Sequence, residues 1–237
     1  MAEDRLDKLL CGKAGVARNE ARKLIKAGRV TVGGTVIKSP EQKIGPDAVL
    51  CLDGEPLGAG GFRYIMMNKP QGVVSATKDR DQRTVLDLLP ENMPRRGLFP
   101  VGRLDKDVTG LLIITDDGDF GHQVTSPKRH IPKVYEVHTA GEMTVEDVTA
   151  FAGELTLRDG TRCLPARLTV DEKDLCHAFV EIFEGKYHQV KRMFASVGKP
   201  VLKLRRLSVG GLSLDGDLAE GCFREMTADE IKAVFLE

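Results

Sequence analysis

Residues 101–118 read VGRLDKDVTGLLIITDDG. Two carboxylates, Asp105 and Asp107, stand two apart. A Thr-Gly pair and a wholly apolar run follow. An aspartate in such a place can ligate a cation, attack an electrophile, take a proton, or cap a turn. As a calcium loop, Asp105, Asp107, Thr109 and Gly110 fill positions one, three, five and six. Position twelve, however, is Asp116 where a longer Glu is needed, and LLIIT reads as a strand where the loop needs a helix to begin. As an aspartyl-phosphate nucleophile, Asp105 should end a strand. The strongest strand signal instead follows it, and no distant acidic pair completes a magnesium site. A turn-capping role stays open, and residues alone go no further than a candidate carboxylate.

The elements that must position it divide in two. In residues 3–11, Leu6, Leu9 and Leu10 fall at helical spacing. In residues 17–34, Ala21, Leu24 and Ile25 form an apolar stripe flanked by Arg18, Arg22, Lys23 and Lys26. Asn19 reads as an N-cap and Gly28 as a C-cap. A hairpin through Gly33-Gly34 and a strand at 48–52 complete a small module over residues 1–58. The Gly-rich PLGAGG at 56–61 marks the boundary, with a linker at 59–62. The second domain, 63–237, opens with a strand at 63–67 and a turn at NKPQG, where Pro70 fixes its own φ. A short helix is expected at 83–89, a buried strand at 111–115, and a turn at DDGDFG. KVYEVHT, 133–139, alternates as a strand, and 143–152 reads as a helix. LTVDEKDLCHAFVEIFEG reads as paired strands. Val190, Met193, Phe194 and Val197 then mark a helix, and strands return over 201–214. The class is α+β, with a mainly antiparallel sheet.

Charge is uneven along the chain. The formal net charge of 237 residues is zero, yet residues 1–46 carry ten Lys or Arg against five acids, and 185–206 carry seven with none. Such local fields can grip phosphates whatever the total. The candidate contacts are Arg18, Arg22, Lys23, Lys26 and Arg29 in the small domain. Lys128 and Arg129, beside His130, and Lys199, Lys203, Arg205 and Arg206 join them in the large one. Five scattered cysteines form no close CxxC pair, so no metal site is expected, and a reducing, cytoplasmic setting is. The opening MAEDRLDKLLCGKAG has no long apolar core and does not read as a secretory signal. No run approaches the roughly 20 residues of a membrane helix.

Taken together, GRLDKDVTGLLIITDDG, NKPQGVVS at 68–75, SPKRHIPKVYEV at 126–137 and EGKYHQVKRMFASVGKPVLKLRRLSVGGLSL at 184–214 resemble, in order, the motifs of the pseudouridine synthases, in particular the small-subunit ribosomal RNA branch. Residues 1–58 resemble a small RNA-binding domain first seen in a ribosomal protein. Val108 departs from the pattern, where a small polar residue is expected. The resemblance implies a cofactor-free isomerisation in which a uracil is detached from its ribose, turned and rejoined through carbon 5. It implies Asp105 as the catalytic carboxylate, Lys191 as its basic partner and Tyr135 as the ring that meets the uracil. It places Arg103, Leu104 and Leu202 or Leu204 around the pocket, with His188 and Gln189 supporting the cleft. The implied partner is small-subunit ribosomal RNA, free or in a partly assembled particle, met by a monomer.

Overall fold

The computed structural model describes residues 3–45, 48–57 and 62–235. Of the expected linker at 59–62, only Phe62 lies inside the described residues. By backbone contacts the chain separates into two compact units. One comprises residues 1–64, 90–99 and 114–118. The other comprises 65–89, 100–113 and 119–237.

The first unit contains α1 (Leu6–Ala14) and α2 (Arg18–Lys26). It also holds a small antiparallel sheet of β1 (Val30–Val32), β2 (Thr35–Val36), β3 (Leu50–Leu52) and β4 (Glu55–Pro56), in the order β2-β1-β3-β4. The apolar spacing becomes a core: Leu6, Leu10, Ala21, Ile25, Val30 and Leu50 are fully buried together. The expected N-cap is displaced. Ala17 takes the cap position of α2 in extended backbone, and Asn19 lies one residue inside the helix. Ala27 caps the other end, and Gly28 follows at φ 75.

One acid in this unit is buried among cations. Asp7 is fully buried and accepts from Arg5 Nη2 at 3.0 Å, Arg22 Nε at 2.9 Å and Arg18 Nε at 3.4 Å. Burial pushes its carboxyl up, but the three guanidiniums outweigh that and hold it at about 2. Two of the arginines expected to face phosphate are therefore anchored first by an acid. A depressed carboxyl contributes stability that is complete above its unfolded value of 3.8 and lost as pH falls towards 2. The shift corresponds to roughly 2 kcal/mol. Asp7→Asn should lose about that much unfolding free energy at neutral pH in urea titrations. It should also lose the wild-type decline between about pH 4 and 2; acid profiles that run parallel would contradict the assignment.

The second unit is built on one large sheet. Its strands are β5 (Tyr64–Lys69), β6 (Thr109–Thr115), β7 (Lys133–Thr139), β8 (Arg167–Asp171), β9 (Asp174–Ile182), β10 (Val201–Val209) and β11 (Phe223–Glu225), in the order β8-β9-β7-β10-β6-β5-β11. The pairing is mainly antiparallel, but β6 and β10 run parallel, Arg206 opposite Gly110. Every residue of β6 is buried, as the unbroken apolar run LLIIT requires. Gly110 is needed there: at φ 102, a Cβ on it would lie 2.2 Å from the Arg206 carbonyl oxygen. The helices are α3 (Gly118–Thr125), α4 (Val145–Ala152), α5 (Gln189–Ser196) and α6 (Ala228–Ala233). Neither α3, where DDGDFG reads as a turn, nor α6 was expected from the sequence. The helix expected at 83–89 is a single 3-10 turn, Val85–Leu88, closed by a Thr84–Asp87 capping box. α5 docks through Val190, Met193 and Phe194, and Phe194 meets Phe151 of α4 with ring centroids 4.8 Å apart.

Candidate active site

The loop between the NKPQG turn and β6 carries Asp105, and three elements fix it. The first is the end of β5. Lys69 is fully buried, and its ammonium donates to the carbonyl oxygens of Val108 at 2.8 Å and Pro70 at 3.0 Å. Gly72 N donates to the Lys106 carbonyl at 2.8 Å, and Gln71 Nε2 to the Asp107 carbonyl at 3.2 Å. Ser75 Oγ donates to the Leu104 carbonyl and accepts from the Leu104 amide, at 2.9 and 3.1 Å. The segment NKPQGVVS thus clamps residues 104–108 through their backbone and leaves the Asp105 side chain free to point outward. Val108, the departure from the family pattern, is buried in this turn.

The second element is α5. Lys191 Nζ lies 3.0 Å from Asp105 Oδ2 and 2.6 Å from Asp107 Oδ1. Burial works against its charge, but the hydrogen bonds to Asp107 and Asp105 outweigh burial and raise it above its ordinary value. Asp107 is held low chiefly by the same ammonium. The entry to α5 is braced as well. Buried Gln189 donates to Glu184 Oε1 at 2.8 Å and accepts from Lys186 N at 2.9 Å. His188 sits in left-handed backbone at φ 48, with Nε2 3.4 Å from Asp105 Oδ1, and Tyr187 stacks on its ring at 3.8 Å.

The third element is the pair β7 and β10. Tyr135, 7% exposed, is opposite Arg206, and Val137 is opposite Leu204. Arg103, Leu104, Asp105, Tyr135, Lys191 and Leu204 line one pocket. It shares Arg103, Asp105, Tyr135 and His188 with an adjoining cavity of about 410 Å³. The arrangement is a carboxylate beside a cation, facing a largely buried aromatic ring.

Two expected positions need correction. Leu202 does not reach the pocket and is 66% exposed. The ladder passes from His138–Lys203 to Thr139–Val201 and skips it, so the bulge turns it outward. Arg206 is not a surface cation: it is 3% exposed, and its Nε donates to the Leu111 carbonyl at 2.8 Å. Other expected cations are engaged. Arg29 pairs with Asp53, Lys199 reaches the Glu142 carbonyl at 2.5 Å, and Arg129 bonds Gln123 at 3.0 Å. Lys23, Lys26, Lys128 and Lys203 are exposed, and Arg205 is half-buried.

The sequence motifs have counterparts in known proteins. The family model described as RNA pseudouridylate synthase matches residues 63–196, and that of the S4 domain matches residues 4–50. The chain belongs to the RNA pseudouridine synthase family. It is 43% identical over 230 residues to an RNA pseudouridine synthase of Bacillus subtilis, covering 96% of each chain. It is 42% identical over 234 residues to the ribosomal small subunit pseudouridine synthase A of Escherichia coli, covering 97% of this chain and 99% of that one. A crystal structure of a pseudouridylate synthase superposes with a TM-score of 0.70 at 36% identity, over 97% of this chain and 99% of the other. The enzyme is therefore an RNA-directed isomerase carrying an S4 domain.

Lys69 was not singled out in the sequence, and Asp107 was weighed there only as a cation ligand or turn cap. Burial pushes the Lys69 ammonium down to about 8, against the pull of Asp107 and Asp105. A lysine depressed from 10.5 in this way favours its neutral form on folding. The fold therefore gains stability as pH rises from 8 towards 10.5, by roughly 3 kcal/mol in full. Lys69→Met should remove that rise from the unfolding free energy. It should also speed amide exchange around Lys106 and Val108, whose carbonyls lose the Lys69 donor. A variant profile that still climbs like the wild type would contradict a buried, titrating Lys69.

Proposed function

We propose that this synthase isomerises a uridine of small-subunit ribosomal RNA to pseudouridine, with Asp105 as its catalytic carboxylate. The observation that carries the reading is Asp105 held 3.0 Å from Lys191 Nζ in a pocket walled by Tyr135 and Leu204. The small-subunit target is supported by relatives named for it that are 41–43% identical over nearly the whole chain.

The chemistry follows from what each group can do. Asp105, ionised, either attacks the ribose at the glycosidic carbon or takes a ribose proton. Either route frees the uracil to turn and rejoin through carbon 5. Lys191 supplies a fixed positive charge beside the carboxylate, and its compact ammonium can serve Asp105 and Asp107 together. Tyr135 offers a ring face to the uracil and a hydroxyl for the proton that leaves carbon 5. Arg103, exposed at the rim, meets backbone phosphate.

A stacked base reaches this pocket only by leaving its helix, at a cost of a few kcal/mol. Contacts to the RNA backbone must offset it, and the exposed lysines of α2, Lys23 and Lys26, are candidates for them. Replacing both with Ala should reduce the slope of log affinity against log salt by about one to two. An unchanged slope would remove α2 from the phosphate contacts.

The chemical assignment is tested by tritium release from small-subunit RNA labelled at uridine carbon 5, free and in partly assembled particles. Wild type should release tritium, and Asp105→Asn should release none while binding RNA normally. Equal release by both would reject Asp105. Release from large-subunit RNA alone would reject the target and leave the chemistry standing.

A further inference from the structure

Glu136 and His138 stand on β7 on the face of the sheet opposite Tyr135 and Val137, because strand side chains alternate. The register sets His177 of β9 directly opposite His138. Directly opposed residues bring their Cβ atoms to within about 5 Å, and a long side chain spans the diagonal to the next same-face position. Glu136 makes that span. Its Oε1 lies 3.1 Å from His177 Nε2, and the imidazoles of His138 and His177 lie face to face with centroids 4.5 Å apart. One ligand atom from each of the three residues falls within 4.8 Å of the other two.

A fourth residue fixes the orientation of this group. Asp171, at the end of β8, sits 3.2 Å from His177 Nδ1. The His177 ring is thus held between two carboxylates, and with Nδ1–H on Asp171 a metal ion would replace the Nε2 proton that faces Glu136. Carboxylates placed behind ligating histidines commonly set the tautomer this way. Two imidazoles and one carboxylate are a donor set for first-row divalent ions, and zinc takes it with a further position left open. Ligand atoms around a tetrahedral zinc are separated by about 3.3 Å, given bond lengths near 2 Å. The Glu136–His177 pair already has that spacing, and His138 completes it by rotating out of its stack. Glu136 and His138 also line a cavity of about 290 Å³ with Gln71, Thr109, Lys203, Arg205 and Glu220, so the group is reachable from solvent.

From this geometry we infer that Glu136, His138 and His177 form a binding site for a zinc-class divalent ion, positioned by Asp171 and separate from the Asp105 pocket. The proposed reaction does not use it.

The test is zinc titration of the full chain by calorimetry under reducing conditions. It is run beside His138→Ala, the near-isosteric Glu136→Gln and Asp171→Asn, each confirmed folded by circular dichroism. The expected result is one zinc per wild-type chain, lost in His138→Ala and weakened in Glu136→Gln. In Asp171→Asn affinity should fall about 10- to 100-fold, the usual effect of removing a carboxylate behind a ligating histidine. The proposal is overturned if wild type takes up no zinc. It is equally overturned if His138→Ala and Glu136→Gln bind as wild type does, since uptake would then belong to the five cysteines or another surface.

Discussion

The site depends on one ammonium. Lys191 bridges Asp105 and Asp107, which lie 86 and 84 residues before it in the chain. Without a cation, two carboxylates two residues apart on one tight loop would repel each other and turn to water. With Lys191 between them, both negative charges are held, Asp105 in a half-buried wall and Asp107 at its exposed edge. The attraction to Asp105 is screened less by water than one between two exposed groups, whereas that to Asp107 is largely screened. Lys191 can do this only if α5 is rigid, which explains the investment in its packing and entry. Met193 and Phe194 are fully buried beneath it, and Gln189 ties the preceding loop to Glu184.

The loop on the other side of the pair is fixed by a second ammonium with the opposite character. Lys69 is buried and donates to carbonyls instead of pairing with a carboxylate. It therefore fixes backbone without neutralising Asp105. One lysine sets position and the other sets charge. The parallel contact between β6 and β10 joins the halves: the backbone of Arg206 meets Gly110 at a distance no side chain would permit, and across the sheet the same arginine is opposite Tyr135. A shift of one residue in that register would turn Tyr135 to the other face, away from Asp105.

Much of this was legible in the chain. KVYEVHT alternates cleanly, and its strand has those bounds. Val190, Met193 and Phe194 share the buried face of α5 because helical period dictates it. Local pattern failed where tertiary structure decides. DDGDFG contains strong turn formers, yet Gly118 begins α3, whose Phe120 and Val124 become core only once packed. A lysine between Asn68 and Pro70 reads as a solvated turn residue, and only three-dimensional contact shows it buried among carbonyls. Bulges are equally silent: alternation sets Leu202 beside Leu204, and the skipped pairing turns it out. Counting basic residues also overstated the free positive charge, because Asp7 and Asp53 already hold several arginines.

The most direct measurement is the single-turnover rate of pseudouridine formation by Lys191→Met, with enzyme in excess over RNA and binding measured in parallel. If Lys191 serves the carboxylate, the rate should fall by about a hundredfold or more, as when a preorganised charge is removed from a reacting centre. RNA affinity should change by less than about tenfold, since one internal cation contributes little to phosphate binding. A variant that turns over at the wild-type rate, or that loses rate only in proportion to affinity, would contradict the account.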